Sequence, residues 1–260
     1  QDKTQTRSEL ETGVLPVGSV TRSGEDPENK VTSIWVLQFN GTVATSTLVH
    51  KAEATLSPDV TEATYTISKT TNQHTYYLLA NVYDSLLPAL NTRLDNFQGG
   101  FLSMESNNLS KGIPMIGTWP GAATAGAAPE EGVKLERLMA KIEVNITGRF
   151  SGLNIQSVQL RDIPKKMFIQ QPPTTGTTVA TTDEDRYNIL TPLEPYSQNG
   201  DSYIFYIPEN IRGQANKIIS GAYEKAYQNA PYFSTYIQIE GTYTKNGVEQ
   251  ADVVYELYTG

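Results

Sequence analysis

The chain of 260 residues contains no cysteine, and that one absence removes disulfides, thiolate metal sites and cysteine nucleophiles together. Histidine is nearly as scarce, with His50 and His74 the only two. A Ser-His-Asp arrangement needs one of them beside a serine on a sharp turn, and no G-x-S-x-G pattern occurs. The spacings of zinc sites are missing too, so both histidines read as surface or strand-edge residues and no metal site is expected. No apolar run approaches the roughly 18–20 residues that cross a bilayer as a helix. The glycines of Gly121–Gly126 lack the lysine and following helix of a phosphate loop, so no nucleotide cofactor is expected. Asp183-Glu184-Asp185 lacks the alternating ligands and glycine turn of a calcium loop and reads as solvated. Basic residues number 20 against 28 acidic, a net charge of −8 with no basic cluster, which argues against a nucleic-acid partner. Two distant carboxylates in one cleft would allow glycoside hydrolysis, but nothing in the sequence selects a pair.

What is present favours strands. Tyrosine occurs 15 times against 7 phenylalanines and 2 tryptophans, and threonine is abundant. Val31–Phe39, VTSIWVLQF, is apolar on both faces, which predicts a central strand covered on two sides. Asn40-Gly41 then marks a turn. Thr45–Leu56, Ala63–Ser68 and His74–Tyr83 read as further strands. Asp84 is a good helix N-cap, and Leu86, Leu87, Leu90, Leu94 and Phe97 make one stripe, so a helix is predicted over about 85–97, with Pro88 near its start. Ile113–Thr118 closes the first half. Trp35 belongs to the core, whereas Trp119, beside Pro120, is either structural or a platform for stacking a sugar.

Pro120–Gly132, PGAATAGAAPEEG, has the composition of a linker or long surface loop. Behind it, Lys134–Ile146 places Leu138, Ala140, Ile142, Val144 and Ile146 at every second position, with Lys141, Glu143 and Asn145 opposite. Period two predicts a strand with one wet face. A helical reading competes, because Leu135, Leu138, Met139 and Ile142 also fall at helical spacing. Leu153–Asp162, Lys166–Gln170 and Asp201–Ile207 follow as strands, Pro172–Asp185 as a turn-rich stretch, and Gln214–Gln228 as an ambiguous, possible helix. Tyr232–Tyr243 and Glu249–Tyr258 are joined by Lys245-Asn246-Gly247, the strongest short hairpin signal in the chain. In the first of these strands Phe233, Ile237, Ile239 and Tyr243 share a face, with Tyr232 and Tyr236 on the face opposite Ile237 and Ile239; in the second, Ala251, Val253, Tyr255 and Leu257 share a face. The fold class expected is mainly β: two β-sandwiches in tandem, residues 1–128 and 129–260, with a short helix inserted in the first. The apolar strand just before Gly260 predicts that the second sandwich lacks its last strands, supplied by more of the polypeptide or by another chain. The polar start, QDKTQTRSELETG, shows no leader, as expected of an intracellular protein or of one whose leader has been removed.

In order along the chain, VTSIWVLQFNGT at 31–42, YYLLAN at 76–81, IPMIGTW at 113–119, KLERLMAKIEVNI at 134–146, YIFYIPENIRG at 203–213 and YIQIEGTY at 236–243 resemble the fimbrillin-type pilus proteins of Bacteroidetes. The resemblance implies two transthyretin-like sandwiches, export as a lipoprotein, and a cell-surface, outer-membrane location in a fimbria. It also implies that an Arg-specific protease removes an N-terminal strand, and that the groove left behind accepts a strand from the next subunit. Arg7 and Arg22, the two arginines before the first strong strand, are the candidate processing sites. Four or five apolar side chains buried at roughly 1.5–3 kcal/mol each would give such a donated strand about 6–15 kcal/mol before ordering costs. Asp84-Ser85-Leu86 also resembles the short O-glycosylation pattern of these bacteria, besides its reading as a helix cap. Neither the lipidated cysteine nor the leader of the family lies in this chain. The function expected is therefore a non-enzymatic subunit of a surface pilus, whose partners are other pilus subunits and a host or bacterial surface ligand. The alternative is a tip adhesin or anchor that binds glycan or protein through its loops, and a hydrolase is the third reading.

Overall fold

The computed structural model describes residues 10–16, 27–58, 62–68, 70–103, 109–121, 133–147, 151–170, 189–190, 192–210, 229–231 and 233–258. The chain forms two compact units. The first comprises Gln1–Leu102, Asn108–Leu138 and Phe168–Gln170, and the second the remainder. The division at 128/129 expected from the sequence lies outside the described residues, as do the stretches 172–185 and 214–228.

The strands of the first half are β1 (Leu10–Pro16), β2 (Ile34–Phe39), β3 (Leu48–Glu53), β4 (Thr55–Leu56), β5 (Glu62–Ser68), β6 (His74–Ala80), β7 (Phe101–Ser103), β8 (Met115–Gly121) and β9 (Glu136–Arg137). Five of them form an antiparallel sheet in the order β3-β2-β6-β8-β9, and a second sheet runs β1-β5-β4. β2 sits between β3 and β6, with Trp35 opposite both Glu53 and Leu79. Its two apolar faces explain that place. Ile34 and Val36 join Tyr76, Leu78, Ala80 and Met115 against Ala63, Tyr65 and Ile67 of β5. On the opposite face Phe39 and Tyr77 meet Phe97 of the helix α1 (Leu94–Gln98), with ring centroids 5.4 and 4.9 Å away.

Asn81 ends β6. Its φ of 61° turns the chain, a conformation that asparagine tolerates better than most side chains. Its amide Nδ2 donates to the carbonyls of Lys30 and Ile113, both at 2.8 Å. Its Oδ1 accepts from the Thr32 N–H at 2.9 Å. One side chain thus ties the entry to β2 and the approach to β8 onto the end of β6.

The helix expected over 85–97 is shorter than its stripe suggests. A 3-10 turn occupies Asp84–Leu86 and α1 begins only at Leu94. Pro88 is the cause. It disfavours helical geometry in the residue before it, and Leu87 is extended with ψ 145°. Asn91, at φ 69°, breaks the interval again. Of the stripe, Leu94 and Phe97 are buried, while Leu90 is exposed. Asp84 opens the 3-10 turn itself rather than capping it, since Tyr83 holds the N-cap position.

The second half contributes β10 (Met139–Asn145), β11 (Leu153–Arg161), β12 (Ile163–Pro164), β13 (Lys166–Phe168), β14 (Ile189–Leu190), β15 (Ser197–Asn199), β16 (Ser202–Pro208), β17 (Tyr236–Lys245) and β18 (Val248–Tyr258). Two antiparallel sheets run β10-β16-β15 and β11-β17-β18, with β12 paired to β14. Val158 and Leu160 of β11, Phe205 and Ile207 of β16, Ile163, Leu193 and Ile237 make the buried interior. The hairpin between β17 and β18 closes as its sequence predicts. Lys245 pairs with Val248, and Asn246 and Gly247 take φ of 53° and 77°, the left-handed pair of a type I′ turn. Asn210, just past β16, plays a part like that of Asn81. Its Nδ2 donates to the carbonyls of Asp162 and Phe233 at 3.1 and 2.9 Å.

Lys134–Ile146 is extended, not helical, but it is two strands with Leu138 between them. Glu136 and Arg137 pair with Ile116 and Met115 of β8. Met139 to Asn145 pair with Pro208 to Ser202 of β16. The Leu138 N–H bonds to the Pro114 carbonyl at 2.9 Å, which holds the break in place. β8 in turn runs on to Gly121, through the first residues of the stretch whose composition suggested a linker.

Candidate assembly surfaces

Two sheet edges and one polar cluster are the features that reach beyond core packing. The first edge is β1. It pairs with β5 along its whole length, Leu10 opposite Ser68 and Pro16 opposite Glu62. Among the described residues, its other side is the end of the sheet. On its far flank β5 meets β4 only at Thr64 and Ala63. Ala63, Tyr65 and Ile67 of β5 are buried in the core, and the residues of β1 in register with them are Leu15, Gly13 and Glu11. Of these three only leucine is a residue that burial strongly favours.

The polar cluster lies at one end of the five-stranded sheet. Gln38 is wholly buried, and its Nε2 donates to His74 Nδ1 at 3.0 Å. Accepting at Nδ1 leaves the His74 proton on Nε2, 3.3 Å from Thr70 Oγ1, which itself lies 3.3 Å from the Asn72 carbonyl. The ring is therefore neutral, and burial holds its pKa below the ordinary histidine value. Tyr76 is pushed up to about 12 by burial and by nearby Tyr65, against the hydrogen bond from Gln38. The Trp119 indole stacks on Tyr76 at 4.9 Å between centroids, so one of its faces is occupied by packing. His50 stands opposite Gln38 on β3. The cluster is a hydrogen-bond chain that runs from Gln38 through His74 to Thr70.

The second edge is β18, the last strand of β11-β17-β18. Ile237 faces Leu257, Ile239 faces Tyr255 and Gly241 faces Val253, so the apolar face read from the sequence is continuous across the hairpin. Its cover is not. Ile237 is 7% exposed, Leu257 38% and Tyr255 52%, and Val254 on the reverse face reaches 57%. The reverse face carries polar side chains: Arg161 Nε donates to Gln238 Oε1 at 3.0 Å, and Gln238 Nε2 lies 3.4 Å from Glu256 Oε1. Tyr236 stacks on Tyr258 there, 4.9 Å between centroids. Its phenol is raised by burial first, then by Asp162 and Glu256.

Of the residues singled out from sequence, Arg7, Arg22, Tyr232 and Asp183-Glu184-Asp185 lie outside the described residues. Ser85 is exposed on the 3-10 turn after β6. Among the described residues no group of three or more His, Asp or Glu side chains is placed to hold a metal ion, and no helix is long and apolar enough to cross a membrane. Sequence reading passed over Gln38 and Asn81. A glutamine inside an apolar strand and an asparagine just after one were the available signals.

A family model described as a domain of unknown function, DUF4906, matches residues 205–260. No curated protein matches the chain. Solved structures do. The tip fimbrial protein Mfa3 of Porphyromonas gingivalis, with a C-terminal truncation, aligns over 96% of this chain and 81% of its own, at 16% identity and a TM-score of 0.58. A fimbrilin from the same organism aligns over 95% and 80%, at 13% identity and a TM-score of 0.54. A fimbrial assembly protein from Parabacteroides distasonis aligns over 96% and 86%, at 14% identity and a TM-score of 0.51. At such identities the likeness is one of fold. Mainly β, with antiparallel sheets and, among the described residues, a single short α-helix, the chain has the fold of the fimbrial proteins of Bacteroidetes.

Proposed function

We propose that the chain is a non-enzymatic subunit of a cell-surface fimbria that contributes to adhesion, with one sandwich in each half, and that it joins its neighbours by donor-strand exchange at β1. The observation that carries the reading is the place of β1. Among the described residues it is an edge strand paired with β5, and its residues in register with the buried Ile67, Tyr65 and Ala63 are Glu11, Gly13 and Leu15. A donated strand with apolar residues at the first two of these positions would gain roughly 1.5–3 kcal/mol at each. Arg22 follows β1 in the sequence and Arg7 precedes it. Cutting after Arg22 severs β1 from the body, whereas cutting after Arg7 leaves it attached. Arg22 is therefore the processing site that matters to assembly. With β1 gone, β5 would keep ladder partners, among the described residues, only at Thr64 and Ala63, and its other backbone groups would need a new strand.

The test is incubation of the purified chain with an Arg-specific protease, followed by size-exclusion chromatography. Cleavage after Arg22 is expected to give oligomers, and Arg22→Lys is expected to remain monomeric. If the cut product loses β1 and stays monomeric, the exchange reading falls and the role of tip or anchor, binding a surface ligand through loops, replaces it.

A further inference from the structure

Asn-Gly occurs three times in the chain, at Asn40-Gly41, Asn199-Gly200 and Asn246-Gly247. An asparagine before glycine can react with its own backbone, because glycine has no Cβ to shield its nitrogen or restrict its rotation. The glycine nitrogen bonds to the asparagine Cγ, the Cγ–Nδ2 bond breaks, and ammonia leaves with the amide proton, closing a five-membered imide. One water then opens the imide at either carbonyl and leaves aspartate or isoaspartate. All three asparagines are exposed, so neither sequence nor solvent access separates them. Their conformations do. Asn40 is held on every side. Its Oδ1 accepts from the Thr47 N–H at 2.8 Å and its own N–H donates to the Thr47 carbonyl at 2.9 Å. The Gly41 carbonyl accepts from Thr75 Oγ1 at 2.9 Å, and Ser46 Oγ lies 2.6 Å from where a Cβ on Gly41 would stand.

Asn246 is protected differently. Its φ of 53° is left-handed, where ψ is roughly +47°, and that rotation turns the glycine nitrogen to the side of the Cα–C bond opposite Cβ. To react, Asn246 must abandon the turn that sets the register of β17 and β18. Asn199 has neither protection. It ends β15, a strand of three residues that are all exposed. It is extended, which leaves the Gly200 nitrogen part of the way round toward the side chain. That side chain takes no hydrogen bond from a described residue, and nothing lies within 4 Å of where a Cβ on Gly200 would stand. Its ladder partner is Ser202, at the end of a short pairing that opens at little cost. We propose that Asn199 is a site of spontaneous deamidation, and that the fold shields Asn40 and Asn246 from the same reaction. The product sets a new carboxylate two residues from Asp201, and as isoaspartate it lengthens the main chain by one carbon at the turn into β16. The reaction needs only water, neither a partner nor a protease, so it goes beyond the exchange proposed at β1 and stands or falls apart from it.

The test incubates the intact chain at mildly alkaline pH, once in buffer and once unfolded in urea. Samples taken over time are digested, and each of the three Asn-Gly peptides is followed by mass spectrometry for the shift from amide to acid. In buffer the Asn199 peptide is expected to lead. It should outpace the Asn40 peptide by at least about 2- to 13-fold, the factor for the one side-chain hydrogen bond that Asn40 must give up. In urea the three peptides are expected to react at similar rates, because the protection at Asn40 and Asn246 is conformational. Asn199→Gln is expected to remove the leading product and leave the other two rates unchanged. The proposal is overturned if Asn199 forms no product in the folded chain, if Asn40 or Asn246 keeps pace with it there, if the same ranking persists in urea, or if the leading product survives in the variant.

Discussion

Replacing Asn81 by alanine removes the side chain that ties three segments of the first unit together. The Ile113 carbonyl, whose bond to Nδ2 is buried, loses its donor, as does the half-buried Lys30 carbonyl, and the Thr32 N–H loses its acceptor. A buried polar group left without a partner costs about 1–3 kcal/mol, with the lower end applying where water can enter. Alanine also tolerates φ 61° less well than asparagine, adding about 1 kcal/mol. The sum is about 4–6 kcal/mol of unfolding free energy in the first unit. The assay is built into the composition. The two tryptophans of the chain, Trp35 and Trp119, both lie in the first unit, so their fluorescence during urea unfolding reports on that unit alone. Asn81→Gly separates the two contributions. It relieves the backbone but restores no hydrogen bond, so it is expected to recover about 1 kcal/mol and no more. A loss below about 1 kcal/mol for the alanine variant, or near-complete recovery with glycine, would refute the view that the amide bonds carry the effect.

Two further outcomes follow from the same sheet. A Cβ at Gly117 would lie 2.6 Å from the Lys134 carbonyl and 2.8 Å from Val133, so Gly117→Ala is expected to push the segment before β9 off β8 and to cost about 1–3 kcal/mol by the tryptophan assay. His74, half-buried beside an amide donor, has a pKa below its unfolded value, so the unfolded chain binds the extra proton first as pH falls through about 6.5. Stability of the first unit should decline on acidification from that point until the folded ring protonates too. His74→Asn should flatten this slope in urea midpoints taken at successive pH values, and an unchanged slope in the variant would show that another group is responsible.

How much of this was legible in the sequence depended on whether a pattern answered to one force or to several. The hairpin of β17 and β18 was readable because Asn-Gly fixes the turn and the turn fixes the register, so Ile237, Ile239 and Tyr243 fell opposite Leu257, Tyr255 and Ala251 as their spacing required. β2 was readable because nothing but a strand buried on two sides suits Ile34 to Phe39. The leucines after β6 were misread as one helix because their stripe was weighed above Pro88, and a local steric veto outranks a periodic preference. Lys134–Ile146 read correctly as extended. Its division at Leu138 was not visible, because a hydrogen bond to the distant Pro114 carbonyl leaves no trace in local periodicity. The two edges differ in the same way. The apolar face of β18 is written into its alternation, whereas which residues of β1 stand in register with the buried Ala63, Tyr65 and Ile67 is known only from the pairing with β5.

That division at Leu138 bears on how the backbone would respond to a pulling force. Between the last residue of β9 and the first of β10 there is one residue of chain and no slack. Force drawn along the backbone at this point reaches two ladders of very unequal length. β9 is clipped to β8 by the pairs at Glu136 and Arg137, whereas β10 is laced to β16 from Met139 to Asn145. With two pairs against seven, the shorter ladder is the one expected to part first under load.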